Sequence, residues 1–148
     1  VSIQTTYTRE AAAQDAILAN INSGSSAAGY VTFRTGSIPA NVAATRTGTL
    51  LSTCVIGSGS TPAFGATNTG TLVATGQTTA GYFAQDASPA NTGTAGYFTL
   101  YDYNNVAVLQ GTVGVAGSGA DMIFNTLTIT AGVLVVINSF NITVSGSV

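Results

Sequence analysis

The 148-residue chain has no lysine, no histidine and no tryptophan, and a single cysteine. Each absence excludes something. Without histidine there is no Ser-His or Cys-His nucleophile pair and no imidazole metal ligand. The only cations are Arg9, Arg34 and Arg46. They cannot make a basic patch, so no nucleic-acid partner is expected through phosphate contacts, and no membrane partner through charge. One cysteine forms no intramolecular disulfide. Cys54 sits in the apolar run LLSTCVI, where it reads as a small buried hydrophobe rather than a reactive thiol. No apolar run reaches the ~18 residues of a membrane span. No basic segment followed by an apolar one opens the sequence as a signal peptide would.

Carboxylates are also few. Glu10, Asp15, Asp86, Asp102 and Asp121 are scattered along the chain, which is weak ground for a glycosidase-type pair. Asp102 and Asp121 fall in turn and loop contexts, where aspartate ordinarily shapes the backbone. Asp102-Tyr103-Asn104 begins like a calcium loop, but Val106 stands at the next ligand position. Gly114 to Gly119 holds a GxxGxG pattern with no helix or lysine after it to hold a phosphate. Asn141-Ile142-Thr143 matches a glycosylation sequon inside an expected strand. The residues therefore give no catalytic group, no cofactor site and no metal site.

What is present is apolar and neutral. Apolar residues make up 45% of the chain and charged residues only 5%, with net charge −2; charged residues are ~25% of an ordinary domain. The polar surface must come from Thr, Ser, Asn, Gln and Gly, a composition suited to strands and turns. Soluble β-proteins often guard sheet edges with lysine. Here the edges must be covered by loops or by neighbouring molecules. Low charge suits dense packing beside identical copies, where repulsion would hurt.

The length fits one domain, 1-148, with a possible extended arm at 1-8, a helix at 9-22 and a β body at 29-145. Thr8 is an expected N-cap, and Ala13, Ile17 and Ile21, with Leu18 beside them, form an apolar stripe that should lie on a sheet. Tyr30 to Arg34, Thr49 to Ile56 and Thr71 to Thr75 read as strands, with a weaker one near Tyr82-Phe83. Met122 to Phe124 and Leu127 to Thr130 read as one bulged strand. Val133 to Asn138 and Phe140 to Val144 close the chain. About nine short strands with frequent turns indicate a mainly β fold, a sandwich or jelly roll of antiparallel sheets with one helix packed on it. Ala-Gly-Tyr occurs three times, from Ala28, Ala80 and Ala95, and reads as a repeated lead-in from turn to strand.

The most informative stretch is Ala95 to Val113, read as a hairpin with Asn104-Asn105 as a two-residue type I′ turn. That register pairs Tyr103 with Val106, Tyr101 with Val108, Leu100 with Leu109 and Phe98 with Gly111. One face then carries Phe98, Leu100, Ala107 and Leu109, fit for a core. The other carries Tyr97, Thr99, Tyr101, Tyr103, Val106, Val108 and Gln110. Either that second face meets another molecule, or it covers the far side of the same sandwich.

Five stretches together carry a resemblance: DAILANINSG (Asp15 to Gly24), YVTFRTGSIPA (Tyr30 to Ala40), PAFG (Pro62 to Gly65), GTAGYFTLYDYNNVAVLQGTVG (Gly93 to Gly114) and ITAGVLVVINSFNIT (Ile129 to Thr143). In order and with the helix first, the chain resembles the capsid decoration, or cement, proteins of tailed bacteriophages. Asn104-Asn105 departs from the Asp/Asn-Gly expected at the hairpin tip. The resemblance implies a non-enzymatic virion protein on the outer capsid surface, made in the bacterial host cytoplasm. Its partners would be the major capsid protein and copies of itself. Two other classes fit the composition: a carbohydrate-binding module of a tail or surface fibre, with tyrosines stacking on sugars, and a self-assembling fibre or sheath subunit.

Overall fold

The computed structural model describes residues 12, 14–16, 18–19, 21, 29–56, 64, 73–75 and 82–143. Eleven strands lie among them: β1 (Tyr30–Arg34), β2 (Leu50–Ile56), β3 (Val73–Thr75), β4 (Ala84–Asp86), β5 (Gly93–Thr94), β6 (Tyr97–Tyr101), β7 (Ala107–Val115), β8 (Met122–Phe124), β9 (Thr128–Ile129), β10 (Val135–Ile137) and β11 (Asn141–Thr143). Seven form one curled sheet in the order β10-β4-β2-β1-β6-β7-β8. Two small ladders, β11-β3 and β5-β9, complete a mainly β, sandwich-like body.

Cross-strand pairs define the two faces of the large sheet. Cys54, Val31, Leu100 and Leu109 form one row, and Ser52, Phe33, Phe98 and Gly111 the next. These rows face the core, which is why Val31, Phe33, Cys54 and Leu100 are buried. A Cβ at Gly111 would stand 2.5 Å from the Phe98 ring, so glycine there makes room for an aromatic partner. Phe140 joins the layers. Its ring lies 5.4 Å from Phe83, 5.7 Å from Phe98 and 5.9 Å from Phe64, spacings typical of interlocked aromatic rings.

The N-terminal helix is present at residues 12, 14–16, 18–19 and 21. Gln14, Leu18 and Ile21 are buried while Ala12, Asp15, Ala16 and Ala19 are exposed. This is an i, i+4, i+7 stripe. Leu18 and Ile21 lie on it as expected; Ala13, Ile17 and the Thr8 cap lie outside the described residues, as do the 1-8 arm and Val144. Gln14 is the surprise on that face. Its Nε2 donates to the Ile142 carbonyl at 2.7 Å and so ties the helix to β11.

Three expectations are corrected. The first is strand direction: β8 runs parallel to β7, pairing Val113 with Met122 and Val115 with Phe124. A six-residue link suffices because only three residues overlap, so the chain need return only a short way. Asp121 clamps that link. Its carboxylate accepts from the Thr112 N–H and hydroxyl, both at 2.8 Å, which lowers its pKa. Second, Met122 to Phe124 and Thr128 to Ile129 are not one bulged strand. β8 pairs with β7, whereas β9 pairs with β5. Third, the hairpin tip is not a type I′ pair. The Asn105 N–H donates to the Asp102 carbonyl at 3.2 Å, and Asn105 alone takes positive φ, +65°. The tip is a β-turn over Asp102–Asn105 whose last residue is left-handed, a three-residue hairpin loop.

Two Ala-Gly-Tyr lead-ins open strands, at Tyr30 and at Tyr97. In the first, a Cβ on Gly29 would collide with the Tyr101 carbonyl oxygen, so only glycine permits that approach. Gly81 lies outside the described residues.

Candidate protein-contact surface

The second face of the large sheet divides into a covered part and an open part. The covering element is the β1–β2 loop, residues 35–49. The Tyr97 hydroxyl donates to the Thr47 carbonyl at 2.6 Å, Gln110 Nε2 to the Pro39 carbonyl at 2.8 Å, and an Arg34 guanidinium nitrogen to the Gly48 carbonyl at 3.1 Å. Arg46 donates to the Val42 and Ala44 carbonyls within the same loop. Two of the three cations thus hold a loop in place.

This loop corrects part of the expected contact face. Tyr97 and Thr99 are 0% exposed, so neither meets another molecule in this fold. Gln110 is half-buried and bonded to the loop. Val108 packs against the core cluster instead of pairing with Tyr101. The reason is a bulge. Leu100 pairs with Leu109, as expected, but Tyr101 pairs with Ala107, so Val108 is the extra residue and the register shifts. Phe98 pairs with Gly111 as the sequence indicated.

Tyr101, Tyr103 and Val106 remain accessible, the first half-buried and the last 58% exposed. Cross-strand register joins them to residues the hairpin reading missed. Tyr101 pairs with Tyr30, Tyr30 with Val55, Val55 with Gln85 and Gln85 with Val136. Side chains of such partners share a face. The result is a neutral row across β10, β4, β2, β1 and β6, with Val55 52% and Val136 37% exposed. Val55 carried a signal in the sequence: it alternates with the buried Cys54 and Ile56 and so must point the other way. That Val136 lines up with it depends on non-local pairing, which no local pattern reveals.

The Tyr30 and Tyr101 rings stack at 4.8 Å and 12°. Burial first, then the neighbouring Tyr101 and Asp102, raise the Tyr30 pKa, so its hydroxyl stays neutral at physiological pH. Asp102 is buried beneath the hairpin tip. One carboxylate oxygen accepts from the Asn104 and Val106 N–H groups at 2.8 and 2.9 Å. It is therefore committed to shaping the turn, an Asx-turn role.

Other groups with chemical potential are likewise engaged in structure. Cys54 is buried, and burial pushes its thiol up to about 12. Asp86 accepts from the Ser52 hydroxyl at 2.8 Å and the Thr53 N–H at 2.9 Å, joining β4 to β2. No group of three His, Cys, Asp or Glu residues is placed to hold a metal among the described residues. Comparison with family models, with curated proteins and with solved structures finds no match.

Proposed function

We propose that this chain is a non-enzymatic virion structural protein that decorates and stabilises the outer surface of a tailed-phage head. The observation that carries the proposal is the neutral, partly apolar row from Val136 through Val55 and Tyr30 to Tyr101 on the open face of the sheet. A patch of this kind gains free energy by burying apolar area against another protein, at about 25 cal/mol per Å². Its lack of charge means no like-charge repulsion when many copies crowd one lattice. The resemblance noted in the sequence supplies the assembly: the major capsid protein and copies of this chain as partners. Many weak contacts repeated over a shell then hold by avidity.

The carbohydrate-module alternative has less to stand on. Sugar stacking needs open ring faces, yet Tyr97 is buried, Tyr30 and Tyr101 each cover one face of the other, and only Tyr103 of the hairpin tyrosines stands exposed. The fibre-subunit alternative shares the neutral composition but supplies no reason for one part of that face to be open and the rest looped over.

The test is to add the purified protein to mature phage heads that lack it and image them by cryo-microscopy. Regular external density is expected, with binding little changed by salt because few charges take part. Val55→Lys should abolish binding while leaving the fold intact, since Val55 is exposed. Absence of external density, or undiminished binding by Val55→Lys, would overturn the proposal.

A further inference from the structure

β1 and β2 are antiparallel neighbours, and such strands are ordinarily joined by about 2–5 residues. Here residues 35–49 join them. Links of this length are uncommon in compact domains and usually functional. The loop is tied at its neck, where the Thr35 N–H donates to the Thr49 carbonyl at 3.1 Å and the Thr49 N–H to the Thr35 hydroxyl at 2.9 Å. Just inside the neck stand Gly36 and Gly48, with φ of +86° and +74°. A Cβ at Gly48 would strike the Thr35 carbonyl, so glycine is required there. The middle holds itself together. The Ala43 and Ala44 N–H groups donate to the side chain and the carbonyl of Asn41, and Arg46 donates to the Val42 and Ala44 carbonyls. None of residues 35–49 is buried, so no side chain of the loop is anchored in the core. Beyond the neck, and among the described residues, the hydrogen bonds that fasten it to the sheet are those of Tyr97 to Thr47 and Gln110 to Pro39.

Segments with few buried contacts open at small cost while the rest of a fold stays intact. We infer that the β1–β2 loop is a strap that swings off the sheet as a unit about Gly36 and Gly48, and that the Tyr97 and Gln110 bonds set how often it does so. Closed, it keeps Tyr97 from any partner. Open, it bares Tyr97 on the side of β6 that already carries Tyr101 and lengthens the accessible row. The strap thereby regulates the extent of the contact surface. That role rests on the capsid-binding reading; the opening itself does not.

The chain carries its own reporter. With no lysine, its trypsin sites follow Arg9, Arg34 and Arg46. Arg46 lies in the strap, its guanidinium tied to the strap's own carbonyls. Arg34 ends β1 and is paired on both sides, with Leu50 and Tyr97. Full-length protein is incubated with trypsin over a range of low urea concentrations, and each cut is timed by mass spectrometry. Arg46 should be cut before Arg34, more slowly than in a free peptide of the same sequence, and with little dependence on urea because opening exposes little surface. Tyr97→Phe and Gln110→Ala should each speed the Arg46 cut roughly fivefold, the factor for one ordinary hydrogen bond, and keep its weak urea dependence. Cutting at Arg34 and Arg46 together with one steep urea dependence, an Arg46 cut at the peptide's rate, or no response to either variant would each overturn the inference. On phage heads, Tyr97→Phe should lower the dissociation constant by the same factor, since a freed strap removes a conformational cost of binding. Unchanged affinity beside faster cutting would overturn the regulatory role alone. Heads that bind neither protein would overturn the capsid reading, with the opening still decided by trypsin.

Discussion

Tyr30 on β1 and Tyr101 on β6 stand directly opposite each other, with ring centroids 4.8 Å apart and planes 12° from parallel. The pair ends the row that begins at Val136 and forms part of both the fold and the proposed contact surface. Stacked aromatic pairs contribute about 0.5–1.5 kcal/mol beyond area burial. Tyr101→Ala should therefore lower stability modestly, by about 1–2 kcal/mol in urea denaturation. Its effect on capsid binding should be much larger than that loss explains. Equal, small effects on both would remove Tyr101 from the contact surface.

Leu100 is the neighbour of Tyr101 and points the other way. It is wholly buried in the row with Val31 and Cys54. Leu100→Asp places an uncompensated carboxylate in the core and should prevent folding at 25 °C, read as loss of the cooperative transition. Leu100→Ala should cost about 2–5 kcal/mol. Val106→Ala, at an exposed site, should change stability by less than about 0.5 kcal/mol.

The hairpin tip is governed by Asp102 more than by the asparagines. Asp102→Ala leaves the Asn104 and Val106 N–H groups without their acceptor and should cost about 1–3 kcal/mol. Asn105→Gly suits the +65° φ and should be neutral or nearly so, whereas Asn105→Val should be destabilising. Thermal melts of the three variants check the ranking. If Asn105→Gly proved as damaging as Asp102→Ala, the turn assignment would be wrong.

Thr32 and Thr99 pair across β1 and β6, and among the described residues both buried hydroxyls have no hydrogen-bond partner. A buried unsatisfied hydroxyl opposes folding. Thr99→Val keeps the branched shape and removes that group, so it should raise stability by about 1 kcal/mol. A loss of stability on denaturant titration would show that the hydroxyl has a partner.

Cys54 makes stability depend on pH in the alkaline range. Its ordinary value near 9 is raised to about 12 by burial. Between those values the unfolded chain releases the thiol proton and the folded chain keeps it. Stability is thus fully present below pH 9 and falls as pH rises toward 12, by up to about 1.4 kcal/mol per pH unit. Tyr30, whose pKa is also raised, adds to the fall above pH 10. Subtracting the pH profile of Cys54→Ala isolates the thiol. A difference between the two profiles that stays flat from pH 9 to 11 would contradict its burial.

Local pattern settled a good deal. Alternation in Tyr30–Arg34, Leu50–Ile56 and Tyr97–Tyr101 placed three central strands, because one-sided burial leaves a period of two in the sequence. The pairs Phe98–Gly111 and Leu100–Leu109 followed from alternation and from a turn near the right place. The bulge at Val108 did not, since a bulge is decided by how Asp102 and Asn105 fit the tip rather than by hydrophobic pattern. The buried place of Gln14 was hidden for the same kind of reason: its partner is a carbonyl 128 residues away.

The sequence by itself determined the mainly β class, the helix at the start, the buried thiol and the near absence of charge, because each follows from residue type and short-range period. Only the tertiary structure decided which tyrosines stay accessible. Tyr97 and Tyr101 lie on the same side of one strand, yet a loop 50 residues away in sequence covers the first and leaves the second open. It also decided that β8 turns parallel. Those outcomes depend on long-range pairing and loop packing, which no window along the chain contains.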